Sequence, residues 1–422
     1  MPLFVCYVPG FDLRQINDRG APYTARLLNS FPHVKIKSYP CTELLPSILT
    51  GSYPQQHGKY QISLKESIDH SQPKKGTSRV AELLVTTLQC AYSLFDYRFD
   101  LPGVPAWRRR SFDLTTRFKF VVRRRDSEVL KRIGGLDTIF DAVNNNNIVY
   151  HFSMEFLKLN GLVDKFCAGT YRMEFLEIHS LDVIQLWYMD QPEKINQYYR
   201  HLDKFVEKLH ARCQEYDMTL VLLVDRGMEK TKATMDIMAK LRQLDVSVNE
   251  YSFFIEPPMA RFWFHTDRAR STIKKMLSAL PHGQIFTFRD MSRYRLEFEN
   301  MKFGEVFFIA DAGYMIFPHD FYNPIGNMFL GLTDWKQRPR IVDPRQRAVH
   351  GFLPSAESET GFMIVCDQTC TTGTEQAEII DVAPSLIELL GCRRPESMKG
   401  RPLFAMRSAA ARSAACRPER SS

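Results

Sequence analysis

The chain has 422 residues, 44% of them hydrophobic and 25% charged, with a formal net charge of +8. That is long enough to bury a sizeable core, and the balance excludes a disordered or fibrous chain. The longest apolar runs, such as Leu220–Val224, are far too short to span a bilayer, and the opening MPLFVCYVPGFD lacks the basic flank of a signal peptide, so a cytoplasmic location is expected. Nine cysteines show no paired CxxC rhythm, so all but Cys41 are expected to be reduced, mostly buried thiols.

Leu3–Val8 is a short apolar run closed by Pro9-Gly10, the pattern of a buried strand and its turn, with Asp12 just beyond. Ala21–Ser30 has helical spacing and Val34–Tyr39 alternates as a strand. The stretch Pro40–Gly58 follows. Cys41 and Thr42 stand where a strand would hand over to a helix; Leu44, Leu45, Ile48 and Leu49 make an apolar stripe, and Gly51 can close the helix in a left-handed cap. A helix start favours the anionic form of a nucleophile and attracts phosphate. His57 reads as a turn residue.

Residues 91–135 lack a clear period and read as a basic excursion. Within 105–132 ten Lys/Arg stand against three acids, which suits an anionic partner or a solvated basic face equally. Ile148–Phe152 and Asp182–Tyr188 read as strands, the second ending at Asp190. Leu202, Phe205, Val206, Leu209 and Cys213 mark a helix, and Thr219–Val224 a strand ending in Asp225-Arg226. Strand, helix and strand with acids at the strands' C-terminal ends predict a mostly parallel α/β sheet with its site on that edge. Residues 251–303 read as an inserted α+β subdomain, with two short strands around Pro257-Pro258 and a helix near Ser271–Leu280. The core, 1–250, resumes over 304–404 with the strand Phe362–Cys366, and 405–422 is expected to be a disordered tail.

The stretch CTELLPSILTGSYPQQHG resembles the nucleophile segment of the alkaline phosphatase superfamily, nearest its type I phosphodiesterase/nucleotide pyrophosphatase and sulfatase branches. There the nucleophile lies nine residues before the Thr of a Thr-Gly pair, a count that lands on Cys41, with Thr42 one step off. The closing segment DVAPSLIELLG…KGRPLF resembles the superfamily's end in the same order. The resemblance implies a mostly parallel sheet sandwiched by helices, a phosphate-containing small-molecule substrate and a covalent intermediate on the nucleophile.

It also implies two divalent metals, usually zinc, flanking that nucleophile. Carried onto this chain, the metal ligands would be Asp12, Asp190, Asp225 and His350. Pro9, Lys194 and Arg226 stand where further ligands belong, and a guanidinium cannot ligate. Such a set would hold zinc weakly and suit Mg²⁺ or Mn²⁺ better. Without metal, Arg226 would stabilise the transition state and His350 would act as general acid or base. Three functions follow: hydrolysis of a phosphate ester or anhydride, binding of an anionic ligand without turnover, and sulfate-ester hydrolysis through oxidised Cys41. The sulfatase pattern Cys-x-Pro-x-Arg is broken by Glu43 and Leu45.

Overall fold

The computed structural model describes residues 1–64, 80, 81, 84, 88, 104, 108, 111–113, 130–143, 147–166 and 169–406. Most of the basic excursion, and the tail from 407, lie outside the described residues. Among these residues no helix is long and apolar enough to cross a membrane.

Five strands of the main sheet precede residue 225: β1 (Leu3–Tyr7), β2 (His33–Lys37), β3 (Ile148–Ser153), β4 (Met173–Ile178) and β5 (Thr219–Val224). A second, antiparallel sheet follows, formed by β6 (Tyr251–Ile255), β7 (Met259–Phe264), β8 (Gly283–Thr287) and β9 (Val306–Ala310) in the order β6-β7-β9-β8. The chain then returns with β10 (Thr360–Val365) and β11 (Gln376–Glu378). The main sheet runs β11-β2-β10-β5-β1-β4-β3. Every neighbouring pair is parallel except the two made by β10.

The central strands read as unbroken apolar runs because both faces of the sheet are covered. Along β1, Leu3, Val5 and Tyr7 enter one core while Phe4 and Cys6 enter the other; β5 divides the same way. The helices include α1 (Pro22–Ser30), α2 (Leu45–Thr50), α3 (Ser180–Tyr188), α4 (Pro192–Glu215), α5 (Asp267–Ser278), α6 (Pro324–Thr333) and α7 (Val382–Leu390). α2 and α7 cover the first face, α3 and α4 the second. The second sheet packs α5 on one side, through Ala269, Ile273 and Leu277, and turns Met259, Phe307 and Ile309 into the first core.

One element departs from the sequence reading. Asp182–Tyr188 is helical, and the strand is Met173–Ile178. α3 is buried on nearly every side, including Leu181, Ile184, Gln185 and Trp187, so its apolar residues form no single stripe. A continuous apolar run does not distinguish a buried strand from a buried helix. From the basic excursion, Arg108 is described: its guanidinium pairs with both carboxylate oxygens of Asp320 at 3.0 Å each.

Candidate functional site

Parallel strands carry their C-terminal ends to one edge of the sheet, and the candidate site is assembled there. β1 supplies Tyr7 and the turn Pro9-Gly10, β4 supplies Glu177 and His179, and β5 supplies Asp225 and Arg226. Thr42 arrives on the loop after β2 and His350 on the loop before β10; together these line a cavity of about 30 Å³. Because β10 is antiparallel, its N-terminal end falls on the same edge and brings Glu359 beneath the pocket.

Arg226 is the centre of this arrangement. Its side chain is 2% exposed. Nη1 donates to Glu359 Oε2 at 3.1 Å and to the Cys41 carbonyl, and Nε lies 3.6 Å from Asp225. Burial works against the guanidinium charge, but Glu359 and Asp225 hold its pKa above the ordinary arginine value. The other Glu359 oxygen accepts from the backbone N–H of Gly351 at 2.7 Å and Phe352 at 3.0 Å, so the same ion pair fixes the His350 loop. Gly351 has φ +94°, and a Cβ there would meet the Cys41 carbonyl at 2.9 Å, so this crossing of loops requires glycine. Arg226 Nη2 and His350 Nδ1 are buried without a hydrogen-bond partner among the described residues.

Two polar groupings flank Arg226. Asp225 accepts from the Tyr7 hydroxyl at 3.0 Å and from the Arg226 backbone N–H at 2.9 Å. On the other side Asp182 lies 3.4 Å from His350 and 3.7 Å from His179, and His179 lies 3.5 Å from Glu177. Burial opposes charge on His179, yet its hydrogen bond to Glu177 and the field of Asp182 raise it to about 9. Burial lowers His350, against the pull of Asp182, and burial raises Glu177.

The structure brings Thr42, Asp225, Arg226 and His350 to the pocket and sends the other sequence candidates elsewhere. Cys41 is 1% exposed, with its sulfur 3.1 Å from the Glu43 carbonyl, and burial pushes the thiol up to about 12. It is neither accessible nor ionised near neutrality. The adjacent Thr42 lines the cavity, its hydroxyl accepting from Gln61 at 3.0 Å. Nor does the helix start support either residue: α2 begins only at Leu45, with Pro46 setting its first turn. Gly51 does close it in the left-handed conformation, φ 59°.

Asp190 lies outside the pocket, 3.2 Å from Arg347, and Lys194 sits over the Tyr188 ring at 3.8 Å. The acid at this edge is Asp182, and four residues on stands Leu186 rather than a histidine. The sequence reading missed Asp182 because it took α3 for a strand and looked for the acid at its far end. It missed Glu177 and His179 with β4. Glu359 left no local signal, since its partners lie eight and 133 residues away. Asp12 is held by Arg14 at 2.6 Å and packed against Gly227, where a Cβ would come within 2.3 Å of its carboxylate. His57 is structural, as its turn suggested: burial lowers it to about 3, and it bonds to Ser47 at 3.0 Å.

This donor set does not fit a two-metal centre. Among the described residues no group of three or more His, Cys, Asp or Glu is arranged to hold a metal ion. At one expected position a permanently charged guanidinium contacts the surviving carboxylate, and at another Pro9 has no donor side chain.

No family model and no curated protein matches the sequence. Solved structures do resemble the fold. Murine ectonucleotide pyrophosphatase/phosphodiesterase 5 superposes with a TM-score of 0.62 and 13% identity, over 94% of this chain and 96% of that one. An inactive form of that murine protein in complex with AMP gives the same values. The human protein gives 0.62 and 12%, over the same shares of the two chains. The chain therefore has the α/β fold that the nucleotide pyrophosphatases share with alkaline phosphatase.

Three outcomes follow. Glu359→Gln leaves a buried guanidinium without its counter-ion and should destabilise the protein by about 3–5 kcal/mol in urea unfolding. Native Cys41 should resist alkylation by iodoacetamide at pH 7.5 and react once the chain is unfolded, as read by peptide mass spectrometry. The raised His179 pKa stabilises the fold fully below its ordinary value of 6.5, and this contribution is lost as pH rises through about 9. The stability lost in His179→Gln, relative to the unsubstituted chain, should therefore shrink between those two pH values.

Proposed function

We propose that this protein binds a phosphate-bearing small molecule at the Thr42–Arg226 pocket, on a hydrolase fold that no longer performs two-metal hydrolysis. The observation that carries the reading is the unpaired Nη2 of buried Arg226. A buried N–H without an acceptor costs about 1–3 kcal/mol, more when charged, and an oxyanion oxygen satisfies it. Four acids line the pocket, Glu43 among them, but the other three have partners of their own. Asp225 is hydrogen-bonded by Tyr7, Asp182 faces His179 and His350, and Glu177 is bonded by Tyr150 at 2.9 Å. The small cavity suits a phosphoryl group rather than a whole nucleotide, so the rest of the ligand would lie outside it. AMP in the inactive murine relative supports the ligand class.

A second reading is a slow phosphoesterase. It is favoured by Thr42, a hydroxyl residue that lines the pocket one position from the inaccessible Cys41. In that case Thr42 Oγ1 bonds to phosphorus as the bond to the leaving oxygen breaks, the Thr42 proton passes to that oxygen, and water then hydrolyses the phosphothreonine to return the hydroxyl and release phosphate, with Arg226 stabilising the charge that builds on the phosphoryl oxygens. The anionic partner expected of 105–132 stays a separate proposal, since that segment lies mostly outside the described residues.

Isothermal titration with inorganic phosphate and with AMP, and turnover of bis-nitrophenyl phosphate, separate the readings. Binding in the presence of EDTA is expected, weakened about tenfold in Thr42→Val, which removes one hydrogen bond to an anion. Turnover should be absent with Zn²⁺, Mn²⁺ or Mg²⁺. EDTA-sensitive turnover abolished in Asp225→Asn would overturn the proposal in favour of a metallohydrolase. EDTA-resistant turnover lost in Thr42→Val would favour the second reading.

A further inference from the structure

The pocket that holds Arg226 also holds a carboxylate with unused acceptor capacity. Asp182 lines the cavity, its side chain is 8% exposed, and it accepts no hydrogen bond among the described residues. The two imidazoles that face it, His350 and His179, place Nε2 at 3.4 and 3.7 Å, outside the range of about 2.7–3.2 Å for an N–H···O bond. The neighbouring acids differ. Glu177 is bonded by Tyr150 at 2.9 Å and Asp225 by Tyr7 at 3.0 Å, while Glu43 is partly exposed and within reach of water. A buried acceptor left unfilled costs free energy that a donor on a ligand recovers. His350 supplies a second acceptor. Burial lowers its pKa, so at neutral pH the ring carries one proton. With that proton on Nε2, toward Asp182, the buried Nδ1 keeps a lone pair without a donor.

The charges around the cavity point the same way. Glu43, Glu177, Asp182 and Asp225 stand against Arg226 and His179, the latter charged at neutral pH despite its burial. A ligand made only of acceptors meets the partnerless N–H of Arg226 at one place and carboxylate oxygens at others, where like charges repel. A ligand with both an oxyanion and an acidic O–H suits the whole lining, accepting from Arg226 and donating to Asp182 or to His350 Nδ1. Phosphate and phosphomonoesters have that O–H, since the last proton of an ester leaves only at about pH 6. Sulfate and sulfate esters offer the same tetrahedron of oxygens without it.

We infer that the pocket selects a protonated phosphate, inorganic or as a monoester, over the matching sulfate, with Asp182 as the residue that distinguishes them. This rests on the phosphate-binding function proposed above. The test is isothermal titration of the full chain just below the ester ionisation at about pH 6, with inorganic phosphate and sulfate and with phenyl phosphate and phenyl sulfate. The phenyl pair carries nearly equal charge there and differs in the O–H. Each phosphate should bind about a hundredfold or more tighter than its sulfate, because a site built to pair with an O–H rejects the analogue that lacks it. Asp182→Asn keeps the shape and offers an N–H to a sulfate oxygen, so the ratio should fall below about tenfold. The ratio is read within one protein, so a general loss of affinity does not move it. Sulfates binding as tightly as phosphates to the unsubstituted chain overturn the inference and leave the anion site standing. Failure of all four ligands to bind removes the anion site and the inference with it. A ratio unchanged in Asp182→Asn, folded by thermal unfolding, takes the discrimination away from Asp182; if that variant does not fold, the ratios of the unsubstituted chain still decide.

Discussion

A buried guanidinium must be neutralised, and most of the geometry at the functional edge follows from that need at Arg226. Glu359 supplies the counter-charge 3.1 Å away from a fully buried position, and Asp225 adds to it. Removing two such charges from water costs several kcal/mol each, recovered only if every remaining lone pair and N–H is also satisfied. Glu359 meets that condition by accepting two backbone N–H groups from the His350 loop. One ion pair thereby ties the end of β5 to the start of β10, to the loop after β2 through the Cys41 carbonyl, and to His350.

The same pair also bears on the chemistry open to this edge. Where the resemblance calls for an imidazole, a metal could neutralise neighbouring carboxylates and be withdrawn. A guanidinium at that place is permanent, being held above even its ordinary pKa by its two acidic neighbours. It supplies charge and directional N–H groups but no vacant coordination position and no activated water. Acids and a hydroxyl stand at the strand ends, and the cation among them belongs to the chain itself. Arg226 lines the pocket and keeps one buried N–H group, Nη2, without a partner among the described residues.

The pocket and α6 depart in opposite ways from the usual distribution of side chains. At the pocket a charge is buried among partners that nearly satisfy it. On α6 apolar side chains face outward because the helix's inward side is occupied by Asn327 and a close contact at Gly331. In both cases a pattern rule fails because contacts beyond the element itself take precedence.

Much of this was legible in the sequence. β1, β5 and β10 are apolar runs that could be nothing but buried, and their turn residues marked where the strands ended. Gly51 announced its left-handed cap, and the order of motifs from Cys41 to the closing helix α7 was enough to suggest the fold that the structural likeness supports. Substitution of the ligand positions at Pro9 and Arg226 was equally plain, because residue identity alone decides whether a side chain can ligate. Tertiary structure decided which of two adjacent residues faces the pocket: the backbone turns Cys41 into the core, where burial suppresses its ionisation, and leaves Thr42 outside. It decided that Asp182, not Asp190, is the acid at the edge, since a helix buried on nearly every side carries no single stripe to reveal it. And it alone paired Arg226 with Glu359, because a counter-ion 133 residues away is selected by the crossing of strands and leaves no trace in the local sequence.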